Sequence, residues 1–231
     1  MGRGSSKASG GTVMKFSDTP YMTREYGGDG KEAEDFFSTY TNSYQLIPQI
    51  EKDSDAHDAF FMWAEGYFMH GEQYEGYGNM SDREKQFTKK YDEYLDQTVT
   101  GKSFEVVRLS TAEMLMGAGN KRASLAELKK AEGGTVYCRA NLSTAAAAQG
   151  LVIDTFSKKN VEYHITIPKG SKGAGMYIGD KRICGWGNKQ REFLMNRDSL
   201  YKVGKVGYDK SRKVYTVDLT FMGHDKHDYS N

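Results

Sequence analysis

The sequence predicts an α+β fold, helices first and strands after, and three observations carry that prediction. Apolar residues recur at helical spacing before residue 100 and alternate with a period of two after residue 104. Two Ser-x-x-Glu boxes, at Ser81 and Ser124, mark helix starts. The strands in the second half are short, follow one another and do not alternate with helices, which argues against a parallel doubly wound sheet. Charge changes at the same boundary. Residues 1–100 hold 10 basic and 18 acidic side chains, and residues 101–231 hold 22 and 13. The formal net charge of +1 is therefore a cancellation of −8 and +9. Such polarity points either to contact with a polyanion or to two halves that attract each other.

Each element has a local reason. Met1 to Gly11 is Gly/Ser-rich and lacks an apolar stretch, so it is not a secretory signal, and residues 1–15 are expected to form a disordered tail. Residues 16–100 form the helical part, legible from Lys31 onward. A helix from about Asp55 to Met69 carries Phe60, Phe61, Trp63, Ala64, Tyr67 and Phe68, too apolar for a solvated face. Core packing is its expected role, with a ligand platform as the alternative. Ser81-Asp82-Arg83-Glu84 opens the next helix, with Phe87, Tyr91, Tyr94 and Leu95 on one side.

From Phe104 to Leu109 the pattern is that of a strand, and Ser124 caps a short helix through Lys130. Thr135–Arg139, Asn160–Ile167, Met176–Ile178 and Glu192–Met195 read as further strands. Tyr201–Gly207 and Lys213–Phe221 flank a hairpin loop at Tyr208–Arg212. Residues 101–223 form the β-rich core, and the polar residues 224–231 are expected to fray. No apolar run approaches the ~20 residues of a membrane-spanning helix. Cys138 and Cys184 cannot make a metal site alone or a disulfide framework, which fits a reducing, cytoplasmic setting. A single bridge between them stays open, as does delivery by a signal-independent route.

Three short pieces carry chemistry. Arg108 lies in an apolar strand, where a guanidinium either meets a buried anion or reaches solvent from an edge. Asn141-Leu142-Ser143-Thr144 ends a strand and runs into Ala145–Ala148, a corner where Ser and Thr usually act as N-caps. Gln190-Arg191-Glu192 opens a strand after the loop Gly185-Trp186-Gly187-Asn188. Residues two apart on a strand share a side, so Gln190 and Glu192 can face one cleft, unless they form a solvated strand start.

In this order the pieces resemble the arginine–serine–glutamate class of ADP-ribosyltransferases, the cleft fold of clostridial binary toxins and Rho-modifying exoenzymes. The resemblance covers about residues 80–221 and is tightest from Asn141 to Val203. Tyr163 to Gly173, with its Pro168-Lys169-Gly170-Ser171, and Arg191 to Ser199 also fit the family pattern. It implies N-terminal helices packed on a two-sheet β-rich core with an NAD cleft. It implies that NAD is cleaved, nicotinamide released, and ADP-ribose transferred to a macromolecule, with no metal. Glu192 would bond the ribose 2′-hydroxyl and stabilise the ribosyl cation, the use glycosidases make of a carboxylate. Arg108 would grip the NAD phosphates. Ser143 would hold Glu192, and Thr144 would stiffen the strand end. Phe156 is the candidate for stacking near nicotinamide, with core packing as its alternative.

The acceptor is addressed by Gln190. Family members that modify arginine carry glutamate at this place, whereas Gln-x-Glu members modify asparagine side chains or guanine bases. Gln offers one donor and one acceptor to an amide-like edge. Trp186 would stack on a base or press into a protein partner, or else fold back onto the core. Ala145 stands where the family usually has a further Ser, which loosens the support expected for Glu192. Lys158, Lys159, Lys169, Lys172, Lys181, Arg182, Lys189, Arg191 and Arg197 surround the expected site and favour a nucleic-acid base over a protein side chain. A non-catalytic interaction module of the same fold is the third alternative. The acidic half would cover the back of the cleft or dock an inhibitor or antitoxin. The family habit is that of a toxin or phage–host conflict protein.

Overall fold

The computed structural model describes residues 40–64, 73, 76–110, 114–116, 121–145, 160–183 and 192–229, with the backbone alone at 109, 143 and 145. The expected N-terminal tail, Phe156, Cys184, Trp186, Gln190 and Arg191 lie outside those residues. Among the described residues no helix is long and apolar enough to cross a membrane.

The helical part holds α1 (Ser43–Lys52), α2 (Ser54–Ala64) and α3 (Asp82–Leu95). Leu46, Ile47 and Ile50 of α1, Ala56, Phe60 and Trp63 of α2, and Phe87, Tyr91 and Leu95 of α3 bury their side chains in one cluster. The capping box is present as expected: the Ser81 amide donates to Glu84 Oε2 at 2.6 Å and the Glu84 amide donates to Ser81 Oγ. The second box, at Ser124, opens α4 (Leu125–Lys130).

Eight strands follow: β1 (Phe104–Ser110), β2 (Thr135–Cys138), β3 (Leu142–Ala145), β4 (Val161–Ile167), β5 (Gly175–Tyr177), β6 (Glu192–Met195), β7 (Ser199–Asp209) and β8 (Val214–His224). Their order is β2-β7-β8-β4-β1-β3-β6-β5. Among the described residues only β4 and β8 pair in parallel. The expected two sheets are two lobes of this ladder, five strands and three, joined through the single pair Val107 and Ala145. The smaller lobe is a wall between two cores. Phe193 and Met195 of β6 enter the central core, while Leu194 enters the helical cluster with Met176. Period-two alternation thus serves apolar cores on both faces, which explains why β6 is buried at all four positions.

Three expectations are corrected. Leu142–Ala145 is a strand and not a cap corner, because pairing with β6 outweighs the weak β-propensity of Ser, Thr and Ala. The hairpin strands run longer than expected, to Asp209 and from Val214 to His224. The C-terminal segment does not fray as far as Tyr229: His227 and Tyr229 make side-chain bonds to Asp198 and Asp92.

Candidate active site

Glu192 is the first residue of β6 and is 7% exposed. By alternation it shares a side with Leu194 and so faces the helical cluster. There the Trp63 indole Nε1 donates to Glu192 Oε1 at 2.8 Å. Trp63 is set by α2 and packed edge-on against Tyr91 of α3 at 5.4 Å. The Tyr91 hydroxyl donates to the Ala59 carbonyl, one turn before Trp63, at 2.6 Å. Burial, and then the nearby charge of Glu192, push the Tyr91 phenol well above its ordinary pKa. The carboxylate is therefore held in orientation by an indole donor inside an aromatic frame, the preorganisation that charge stabilisation requires.

β3 stands beside it. Ala145 is opposite Glu192, Thr144 opposite Phe193 and Ser143 opposite Leu194. Ser143 thus lies two positions along the strand from the partner of Glu192. Thr144 Oγ1 donates to the Phe193 carbonyl at 2.6 Å, tying β3 to β6 next to Glu192. The bond turns its hydroxyl away from the Glu192 side. Asn141 anchors the start of β3: it exchanges two 2.7 Å bonds with Gln73 and donates to the Met195 carbonyl.

Arg108 lies on β1 opposite Tyr163, one residue past the Val107–Ala145 pair. Alternation puts its side chain on the other side of the ladder from Val107, Ala145 and Glu192. Its charge opposes the burial that raises the Tyr163 and Tyr201 phenols, so the guanidinium sits near both in the central core. The structure thus gathers Glu192 and the backbone of Ser143 on the helical side, and Arg108 and Thr144 on the core side. Phe156, Trp186 and Gln190 lie outside the described residues.

Of the nine basic residues expected around the site, five are among the described residues, and two of these form ion pairs within the chain. Arg182 makes two bonds to Asp180, at 2.9 and 2.7 Å. Arg197 is buried and bidentate on Asp92. Lys169, Lys172 and Lys181 are exposed. A cavity of about 320 Å³ lies elsewhere, lined by Tyr77, Arg139, Asp198 and Lys226 among others; of the residues expected around the site, Arg197 alone lines it.

Trp63 is the site residue that motif spacing missed. Its signal was its chemistry: a buried indole N–H needs an acceptor, and this helix supplies none locally.

A family model of the ADP-ribosyltransferase exoenzymes matches residues 72–222. The chain belongs to that family, and it is an NAD-dependent mono-ADP-ribosyltransferase. Among solved structures it is similar to C3stau2 from S. aureus with NAD, at 17% identity and a TM-score of 0.61, over 86% of this chain and 98% of that one. It is similar to Plx2a, an ADP-ribosyltransferase toxin from Paenibacillus larvae, at 18% identity and a TM-score of 0.63, over 84% and 97%. The Clostridium limosum C3 exoenzyme gives 12% identity and a TM-score of 0.61, over 89% and 98%. These likenesses show the fold. No curated protein sequence matches the chain.

Proposed function

We propose that the enzyme cleaves the nicotinamide–ribose bond with Glu192 at the ribosyl centre and hands ADP-ribose to a nucleic-acid base. The observation that carries the Glu192 assignment is the 2.8 Å bond from Trp63, which fixes the carboxylate where β6 meets the helical cluster. Glu192 would accept from the ribose 2′-hydroxyl and stabilise the oxocarbenium-like cation as nicotinamide leaves. Ser143 would complete the support of Glu192, and Arg108, on the other side of the ladder, would meet the NAD phosphates only if the dinucleotide passes the junction where β1 meets β3. Gln190 and Trp186 would present the acceptor, and Phe156 would stack near nicotinamide. The chain would act as a toxin or phage–host conflict effector in the cytoplasm.

Glu192→Ala is expected to reduce nicotinamide release by at least about a hundredfold, as loss of a preorganised charge stabiliser does. Release at the wild-type rate by the variant would overturn the assignment.

The acceptor proposal rests on the basic surplus of the second half, now reduced by the pairing of Arg197 with Asp92 of the acidic half. That same observation favours a second reading, transfer to a protein side chain such as Asn. Labelled NAD, cell lysate and separate nuclease and protease digests decide between them. Label lost to nuclease supports a base; label that survives nuclease and is lost to protease rejects it.

A further inference from the structure

The C-terminal segment, expected to be loose, instead carries two histidines that converge on Asp96. His224 ends β8, His227 follows within one turn of chain, and both reach Asp96, the residue after α3. His227 Nε2 lies 2.9 Å from Asp96 Oδ1, and His224 Nε2 lies 3.6 Å from the same oxygen. The three groups can bring their ligand atoms within 4.8 Å of one another. Four-coordinate zinc, with bonds of about 2.1 Å, needs ligand atoms about 3.4 Å apart. The two separations from Asp96 fall either side of that value.

The outward-facing nitrogens are committed. His227 Nδ1 is 3.1 Å from Asp198 Oδ2, and His224 Nδ1 is 3.0 Å from the Asp225 carbonyl. Each contact keeps Nδ1 as an N–H, so Nε2 is the atom that would face an ion; on His227 an ion would displace the proton that now joins Nε2 to Asp96. A histidine tied to a carboxylate or carbonyl on one nitrogen, with the other turned inward, is the usual setting of a metal ligand. Asp96 Oδ1 also accepts from Asn196 Nδ2 at 2.7 Å, which orients the carboxylate. The two rings stack at 5.1 Å. Gly173, at φ 63°, passes against His224, and any Cβ there would collide with His224 Nε2.

The other histidine–carboxylate group is built differently. Glu105 and Glu162 take opposite nitrogens of His164, as Asp198 and Asp96 take those of His227, but among the described residues no second histidine ring approaches either glutamate. The C-terminal group differs in that a second ring joins it: the Nε2 atoms of both His224 and His227 approach one oxygen of Asp96.

We infer that Asp96, His224 and His227 form a binding site for a divalent transition ion, zinc by its donor set, with water as a fourth ligand. The site is structural in placement. It would pin the end of β8 and the C-terminal segment to the end of α3, the helix whose Tyr91 packs against Trp63. No catalytic step is routed through it.

The competing arrangement is a protonated His227 held between carboxylates, which needs no ion. The two are separated with the full chain and zinc alone, by competition against a chromophoric chelator and by thermal unfolding in zinc and in EDTA. Wild type is expected to bind one zinc per chain and to unfold several degrees higher in zinc. Cobalt in its place is expected to give the intense visible bands of a tetrahedral site. His224→Ala is expected to weaken zinc binding at least tenfold while leaving the Tm in EDTA nearly unchanged, since His224 is partly exposed. His227→Gln is expected to lose the zinc-dependent rise in Tm. Equal zinc affinity in wild type and His224→Ala, or a wild-type Tm indifferent to zinc, overturns the site.

Discussion

Trp63 has one side-chain donor, and it points at Glu192. A hydrogen bond to a charged group is worth about 1.5–3 kcal/mol, which corresponds to roughly ten- to a hundredfold in rate if it matters mainly in the transition state. Trp63→Phe keeps an aromatic ring against Tyr91 and removes only the donor. It is expected to lower kcat for nicotinamide release by about tenfold or more, with little change in KM for NAD. A residue that merely filled space would move Tm and leave kcat where it was. An unchanged kcat in folded Trp63→Phe would show that the indole has no positioning role. Thr144 is held in a different way: its hydroxyl is committed to the Phe193 carbonyl, so it acts on the strand and not on the carboxylate.

Helix boundaries set by local chemistry were legible, and pairings set at long range were not. The boxes at Ser81 and Ser124 are four-residue devices, and both are present. α1 was hidden within a broadly helical stretch, since Pro48 inside it blurs the local pattern. β3 escaped notice because Ser143, Thr144 and Ala145 have no strong strand preference, and its partner β6 lies some fifty residues away. Glu192 was legible through its motif, whereas Trp63 bonds across 129 positions and left only a general demand for an acceptor. Asp53 is another joint of this kind. Its Oδ1 accepts from the Ala56 amide at the start of α2, and its Oδ2 accepts from Lys90 at 2.7 Å and Tyr94 at 3.1 Å, both on α3. Loss of a cap costs about 1 kcal/mol, a neutral hydrogen bond about 1, and a partly exposed ion pair under about 1. Asp53→Ala is therefore expected to lower unfolding free energy by roughly 2–3 kcal/mol in urea, with kcat of the folded fraction unchanged. Asp53→Asn keeps the cap and is expected to lose less than half as much. Equal losses in the two variants would contradict the shared role of cap and bridge.

Across the molecule, part of the charge division between the halves is used internally. Arg197, from the basic half, is buried on Asp92, from the acidic half, and Asn196 and His227 reach Asp96 beside it. The attraction between halves is thus real, and it subtracts from the charge left for a polyanion. A second network crosses the middle of the sheet. His164 on β4 is bracketed by Glu105 on β1 at 3.2 Å and Glu162 on its own strand at 2.6 Å. Arg212, in the β7–β8 turn, also binds Glu162, and Asp218 stands opposite His164 on β8. Burial opposes the charge on His164, but the hydrogen bonds it donates to Glu105 and Glu162 outweigh it and raise its pKa from 6.5 to about 9. The folded value lies above the unfolded one. The stabilisation is therefore complete below about pH 6.5 and is lost as pH rises through about 9. Its size is on the order of 2–3 kcal/mol, because part of the gain is shared with Glu162 and Arg212. Urea unfolding from pH 6 to pH 10 should show wild type losing stability on the alkaline side. In His164→Gln that loss should be smaller by about the same 2–3 kcal/mol, because the neutral amide has no proton to release. Glu162 has its pKa lowered in the fold, so its own contribution is lost only on the acid side and does not mimic this slope. Identical alkaline slopes in wild type and His164→Gln would mean that the imidazolium does not tie β1 to β4, and that the sheet's alkaline sensitivity comes from elsewhere.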